Sequence, residues 1–141
     1  MKEETIQLFY ETNSFKLQKE SKLRSWVTNS ATAESKSIGI VNYIFCDDTY
    51  LLDINKKYLQ HDYFTDIITF DYSENLQVLT GDIFISIDRA LDNANTYGVT
   101  IDQEVKRLMI HGLLHLIGYN DKEPQDKEIM TAKENLYLEI F

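Results

Sequence analysis

The alternation of apolar and polar positions divides this chain into short strand-like and helix-like segments. Short apolar stretches rich in β-branched and aromatic residues predict four strands, at Thr5–Tyr10, Ile38–Cys46, Asp66–Tyr72 and Asp82–Ile87. In the last of these, every second residue is isoleucine, which is typical of a sheet with two unlike faces. Only a short connection separates the last two segments, so they are predicted to form a loose hairpin.

Helical periodicity describes most of the remaining chain. Ser14 is a candidate cap for a helix from about Phe15 to Val27, and the polar residues 28–37 predict a loop. Four further helices are predicted. The first two extend from Asp47 or Asp48 to about Leu59 and from a cap at Asp88 to Gly98. The third begins with a capping box at Thr100–Gln103 and ends at Gly118, and the fourth is an amphipathic C-terminal helix over Ile129–Ile140. Strands that come mostly early and helices that come mostly late predict an α+β fold with one sheet covered by helices.

Length and composition place these elements in one domain, 1–141. The 141 residues are 43% hydrophobic and 12% aromatic, which is typical of a globular chain. The single cysteine, Cys46, excludes an internal disulfide framework. No apolar run approaches the roughly 20 residues of a bilayer span, and Met1–Thr5 has two acids and no segment of the signal-peptide type. We therefore expect a soluble cytoplasmic domain without a membrane partner.

The net charge narrows the possible modes of nucleic-acid binding. The chain has 14 basic and 23 acidic residues, a formal charge of −9 and a pI of about 4.7. Much of the affinity of nucleic-acid-binding proteins comes from cations that neutralise phosphates. RNA binding by this chain would therefore need a local basic groove or a bound divalent cation. The simpler explanation of the excess acid is solubility.

Candidate chemistry is concentrated in one segment, His111–Asp121. His111 and His115 are four residues apart on a predicted helix, so their side chains are neighbours on one face. Gly118 can end the helix and turn the chain back, which would bring Asp121 to the same ion. Two histidines, a carboxylate and a position open to water form the ligand set of catalytic zinc, although this donor set suits several metals. A histidine pair at this spacing is also often incidental.

Two neighbouring positions refine this hypothesis. The spacing H-x-x-x-H-x-x-G-x-x-(H or D) is similar to that of metzincin zinc proteases, whose first histidine is followed by a glutamate base. Here that position is Gly112, which disfavours peptidase activity. Glu104 falls on the same helix line but roughly 10 Å from His111, too far for a shared ligand role. An ion-pair or supporting role, or a favourable charge in the first helical turn, fits it better.

The complete segment resembles the signature H-G-x-L-H-L-x-G-Y-D-H of the YbeY family of bacterial rRNA-maturation endoribonucleases. Other parts of the chain are similar to the family in order and spacing. They are Asn55–Tyr58 with Asp62 and Thr65–Phe70, Gly81–Ile83, Glu104, and Met130 with Glu134.

The resemblance implies a fold, an activity and a site. The fold would be an α+β sandwich with a small mixed sheet and a metal-binding helix that lines a cleft. The activity would be metal-dependent hydrolysis of single-stranded RNA in ribosomal RNA maturation, with the ribosome as partner. One Zn²⁺ per chain, held by His111, His115 and Asp121, would activate a metal-bound water for attack on the phosphodiester. Asp66 is a candidate for orienting water or substrate, or alternatively for capping the turn after Thr65.

This chain departs from the family pattern at two positions, Asp121 in the metal segment and Leu59 after Tyr58. Asp121 replaces the third histidine, which leaves a bound ion with less net positive charge. Leu59 replaces an arginine thought to contact RNA, and candidate substitutes are Lys56, Lys57 and His61. These departures keep a second hypothesis open, a ribosome-associated factor with a structural metal. A zinc peptidase is the third.

Overall fold

Residues 5–141 are described by a computed structural model. Residues 1–4, part of the segment from which the absence of a signal peptide was predicted, lie outside the described residues. The elements in chain order are β1 (Thr5–Tyr10), α1 (Glu20–Ala33), β2 (Ser37–Cys46), α2 (Asp48–Leu59), β3 (Ile67–Asp71), β4 (Val78–Ser86), α3 (Ile87–Tyr97), α4 (Ile101–Ile117) and α5 (Pro124–Glu139). No helix within the described part of the chain has the length and apolar character that a bilayer crossing requires.

The four strands form one mixed sheet with the order β1-β2-β4-β3. The β1–β2 and β2–β4 pairs are parallel, whereas β3 and β4 form the predicted antiparallel hairpin. Residues from α1, α3, α4 and α5 pack against one face in the main hydrophobic core. A smaller cluster packs α2 against the other face through Leu51 and Ile54. The predicted α+β class, with one small mixed sheet flanked by helices in a single domain, is confirmed.

Helix α4 lies unusually close to the sheet because Gly112 has no side chain. A Cβ atom at this position would lie 2.7 Å from Cγ2 of Ile83 and 3.1 Å from Cδ1 of Ile67. Both contacts are with strand residues of the core. The predicted capping box is present at the start of α4, where Thr100 and Gln103 bond reciprocally. The glycine thus sets the distance between the sheet and the helix that carries both histidines.

The close packing predicts the effect of Gly112→Ala. Overpacking a core typically costs about 1–3 kcal/mol, whereas alanine gains up to about 1 kcal/mol of helix propensity over glycine. We therefore expect a net loss of about 1 kcal/mol, measured as a lower urea midpoint without a change in slope. A midpoint equal to or above that of the wild type would show that the helix can move away from Ile83 without cost.

The first helix differs from its prediction. It extends over Glu20–Ala33 and not Phe15–Val27, so most of the predicted loop is helical and Ser14 caps nothing. The hydroxyl of Tyr10 accepts a hydrogen bond from the backbone N–H of Leu17 and donates one to Glu20. These bonds hold the segment before Glu20 in a non-helical course. The helix ends at Ala33, later than the predicted Val27, because Ser30 and Ala31 are buried in the interior.

Further boundaries also differ from their predictions, and the last helix, α5, begins at Pro124 and not at Ile129. Strand β4 begins at Val78, four residues before the predicted start at Asp82. Ser86, and not Asp88, caps α3 by accepting a hydrogen bond from the N–H of Arg89. The Asp88 carboxylate instead accepts from the backbone N–H of Asp48, the first residue of α2. It therefore connects the beginnings of two helices.

Candidate metal centre and cleft

The end of α4 and the turn after it bring three potential metal ligands together. Nε2 of His111 and Nε2 of His115 are 3.0 Å apart. Oδ2 of Asp121 lies 3.1 Å from the first and 3.3 Å from the second. A tetrahedron with metal–ligand bonds of roughly 2.0–2.1 Å has edges of about 3.3 Å. The three atoms therefore form a triangle of the size that one small cation requires, and they could hold a metal ion.

The hydrogen bonds of the two imidazoles fix which nitrogens face the triangle. His115 Nδ1 lies 3.1 Å from the backbone oxygen of Tyr119, which can only accept, so Nδ1 carries the proton. His111 Nδ1 lies 2.6 Å from Oε2 of Glu134, to which it donates. In the neutral rings both Nε2 atoms then present lone pairs to each other. Such an arrangement is unfavourable without a cation and suits a metal ion, as oriented ligand histidines generally do.

The electrostatic environments of the two histidines differ. Burial alone would lower the pKa of His111, but the hydrogen bond and negative charge of Glu134 outweigh it and raise the pKa. Burial and the neighbouring charge of His111 lower the pKa of His115, against the opposing effect of Asp121. The fold thus opposes charging both rings at once, and His115 is the ring that is harder to protonate.

A continuous network of hydrogen bonds connects His111 to Asp66. Arg107 donates through Nη1 to Glu134 at 3.3 Å, and through Nε and Nη2 to both oxygens of Glu104 at 2.8 and 2.7 Å. Asn93 Nδ2 lies 3.0 Å from Glu104 and 3.0 Å from Asp66. The network therefore runs from His111 through α5, α4 and α3 to the start of β3. It explains how the buried carboxylates of Glu104 and Glu134 are compensated.

Asp66 lines the same cleft as His111, His115 and Asp121, which are called the metal group below. Its carboxylate accepts from Asn93, and its backbone oxygen accepts from the N–H of Ser86 at 2.9 Å. The partner of the side chain lies on α3, so the carboxylate belongs to the network, while the bond from Ser86 fixes the backbone of Asp66 beside the end of β4. A role for Asp66 in orienting water or substrate stays a prediction.

Glu34 anchors the turn that carries Asp121. It accepts hydrogen bonds from the hydroxyl of Tyr119 at 2.5 Å, from the hydroxyl of Tyr137 and from Lys133 Nζ at 2.9 Å. Tyr119 also supplies the backbone oxygen that orients His115. The end of α1 is thereby connected to the residues that place two of the three ligand atoms.

Glu34→Gln should destabilise the fold in a pH-dependent way. Burial opposes ionisation of Glu34, but the bonds from Tyr119, Tyr137 and Lys133 prevail and lower its pKa below the ordinary value of 4.5. A depressed folded-state pKa contributes stability above the unfolded-state pKa, and this stability is lost as the pH falls through the folded-state pKa. We expect a loss of about 1–3 kcal/mol at pH 7 that shrinks below pH 4.5.

The measurement is urea unfolding of both proteins from pH 3 to pH 8. Glu128→Gln, an exposed substitution on α5, is the matched control and should have little effect at any pH. A Glu34→Gln penalty that is the same at pH 3 and pH 7 would contradict the ionic contribution.

The cleft beside the metal group has a volume of about 700 Å³. Leu59 and His61 line it, as do Arg107 and Lys122. The two lysines considered as substitutes for the missing arginine are held by neighbouring acids instead. Lys56 pairs with Asp62 at 3.4 Å and Lys57 pairs with Asp53 at 3.2 Å, and neither is among the cleft-lining residues.

Comparison with known proteins gives the family. The family profile described as Endoribonuclease YbeY matches residues 6–141. The chain belongs to the YbeY endoribonuclease family. It is 50% identical over 140 residues to the Endoribonuclease YbeY of Cytophaga hutchinsonii, covering 99% of this chain and 98% of the relative. The Endoribonuclease YbeY of Bacteroides thetaiotaomicron is 46% identical over 92% of this chain and 95% of its own. The predicted family is confirmed.

A solved structure also resembles this YbeY family member. The solution structure of a Thermotoga maritima protein has a TM-score of 0.70 and 27% sequence identity, covering 95% of this chain and 87% of that one. The similarity supports the same α+β fold over 95% of this chain.

Several supporting residues of this YbeY family member were not predicted from its sequence. Arg107, Asn93 and Glu34 were not singled out, and Glu134 was noted without a role. The three-residue spacing of Glu104 and Arg107 on one helix is a usable signal for their ion pair. The contacts of Asn93 and Glu34 are between distant segments and leave no local signal.

Proposed function

We propose that this chain is a metal-dependent endoribonuclease that cleaves single-stranded RNA in ribosomal RNA maturation and ribosome quality control. Its metal is one Zn²⁺ per chain, its partners are ribosomal RNA and the ribosome, and it acts in the cytoplasm. Membership of the YbeY family supports the nuclease activity. The observation that carries the metal dependence is the convergence of His111, His115 and Asp121 on one point at the cleft.

The residues of the chain have distinct tasks in this proposal. His111, His115 and Asp121 hold the metal, while Glu134 and the backbone oxygen of Tyr119 keep both rings turned towards it. When bound, Zn²⁺ lowers the pKa of a water molecule and polarises a phosphoryl oxygen. Aspartate in the ligand set satisfies the preference of zinc for nitrogen and oxygen donors.

Asp66 would act from another part of the same cleft. Its carboxylate can accept a hydrogen bond from water or from a ribose hydroxyl while Asn93 holds it in place. In this proposal Asp66 orients the reactants and is not a metal ligand.

The packing of Gly112 argues against a peptidase. A Cβ atom at this position would lie 2.7 Å from Ile83 and 3.1 Å from Ile67, so the contact of α4 with the sheet leaves no room for a larger side chain. A metzincin-type glutamate could therefore not be placed here unless the helix or the sheet shifted. The glycine is explained by helix–sheet packing, and position 112 offers no general base for a zinc protease.

The experiment that tests the function compares two substrates. Purified protein is incubated with single-stranded RNA and, separately, with unfolded casein. Each reaction is run without a chelator, with a chelator, and with the chelator followed by an excess of Zn²⁺. We expect RNA cleavage that stops on chelation and returns with Zn²⁺, and intact casein. Cleavage of casein alone would favour the peptidase. Metal binding without cleavage of either substrate would favour a ribosome-associated factor with a structural metal.

A further inference from the structure

Two aromatic side chains, those of His61 and Tyr63, are stacked on each other at the cleft. The rings of His61 and Tyr63 have centroids 5.0 Å apart and an interplanar angle of 20°. The Tyr63 hydroxyl lies 2.8 Å from Nδ1 of His61, which ties the two rings together. Both residues line the cleft that contains the metal group, yet the fold's hydrophobic clusters include neither. Tyr63 is 56% exposed, so this pairing leaves a large aromatic surface in solvent.

The backbone beneath the pair is anchored. Asn55 on α2 is only 1% exposed, and its Nδ2 donates to the backbone oxygen of Tyr63 at 2.9 Å. The backbone N–H of His61 donates to the backbone oxygen of Asn55 at 3.2 Å. The connection from α2 to β3 is therefore fixed at two points by one buried residue. A surface ordered in advance loses less entropy when a ligand binds.

The charges of the cleft disfavour binding through phosphates alone. Among its described lining residues, three carboxylates (Asp66, Asp71 and Asp121) face two permanent cations, Arg107 and Lys122. Both oxygens of Glu104 and one of Glu134 already engage the arginine. The chain as a whole carries −9. Affinity for RNA must then come largely from interactions that do not depend on cationic side chains.

We propose that His61 and Tyr63 form a stacking platform for unpaired bases of single-stranded RNA beside the metal group. This inference rests on the nuclease function proposed above and assigns the substrate a binding subsite. Every base presents an aromatic face, so stacking on such rings tolerates any sequence. Leu59, 40% exposed and also on the cleft, adds apolar surface next to the platform.

The test measures binding of two labelled probes by fluorescence anisotropy. One is a fluorescein-labelled 12-nucleotide oligoadenylate RNA, and the other has the same ribose-phosphate backbone without bases. Titrations are made at 4 °C with the protein as purified, and each probe is checked for integrity by denaturing electrophoresis. The variants are Tyr63→Ala and His61→Ala, with Tyr63→Phe to keep the ring. Phe9→Ala removes an aromatic side chain that is 43% exposed on β1, the strand at the opposite edge of the sheet from β3.

We expect Tyr63→Ala and His61→Ala each to weaken oligoadenylate binding about tenfold. Tyr63→Phe and Phe9→Ala should stay within about threefold of the wild type, and no variant should change binding of the abasic probe. Equal binding of oligoadenylate by Tyr63→Ala and the wild type would overturn the platform, as would equal affinity of the wild type for both probes. A variant that loses both probes alike would show backbone contacts and also overturn it.

Parallel cleavage assays separate this inference from the proposed function. If the wild type cleaves RNA with Zn²⁺ but the alanine variants bind normally, the platform is wrong and the nuclease stands. If ring-dependent binding is found without any metal-dependent cleavage, the nuclease is wrong and the platform stands.

Discussion

His115→Ala is expected to reduce RNA cleavage by more than about 100-fold while the protein stays folded. His115 supplies one of the three converging ligand atoms, and its removal leaves only His111 and Asp121 to hold a metal. Loss of a residue that merely supports a metal ligand typically costs 10- to 100-fold, so loss of a ligand itself should cost more. The measurement is the single-turnover cleavage rate on single-stranded RNA, with circular dichroism to confirm the fold.

The matched control for this experiment is Asp102→Ala. Asp102 lies in the first turn of the same helix, is exposed, and is not among the residues that line the cleft. Its replacement should leave the rate within about threefold of the wild type. Unchanged cleavage by His115→Ala would show that the activity belongs to another site or to a contaminating nuclease.

Glu104→Ala is expected to cause the largest loss of stability. Glu104 is 1% exposed and binds Arg107 through both carboxylate oxygens. Breaking a buried ion pair by removing one partner typically costs about 3–5 kcal/mol. Because the Arg107 side chain is 28% exposed and keeps its contact with Glu134, we expect a value near the lower end, about 3 kcal/mol. Thermal unfolding should show a midpoint lower by roughly 10 °C.

A triple variant separates the charges of this cluster from the space that they fill. Glu104→Leu, Arg107→Met and Glu134→Gln together remove the arginine charge and those of both carboxylates that it binds, and they keep most of the volume. Such replacements are often neutral or stabilising, so we expect the triple variant to be more stable than Glu104→Ala by about 2 kcal/mol. A triple variant no more stable than Glu104→Ala would show that the loss reflects packing or the bond to Asn93 and not an unpaired guanidinium.

The ligand spacing on α4 is predictable from the sequence because it depends on helix geometry alone. His111 and His115 are one turn apart on any α-helix, and Gly118 provides the left-handed turn that returns the chain to Asp121. The four strands follow from short apolar segments whose flanks carry recognisable turn and cap residues, whereas the mixed sheet was expected only from the family resemblance. The helix spacing and the strands are local features, so one sequence is enough to infer them.

The supporting residues depend on contacts between distant segments. Glu134 reaches His111 from 23 residues away, and Glu34 reaches Tyr119 from 85 residues away. The second half of α1 was predicted as loop for the same reason, since its polar sequence hides the burial of Ser30 and Ala31. Asp88 was misplaced as a cap because its partner, Asp48, lies 40 residues earlier. Propensity cannot anticipate such tertiary contacts.

The most direct test of whether His111, His115 and Asp121 hold one cation is the metal content of the purified protein. It is measured by elemental analysis after dialysis against Zn²⁺. For the wild type we expect one Zn²⁺ per chain. For Asp121→Ala we expect substoichiometric metal and a zinc affinity at least tenfold weaker in competition with a chelating dye. Equal occupancy and affinity in the two proteins would contradict the proposed site, because Asp121 would then not bind the ion.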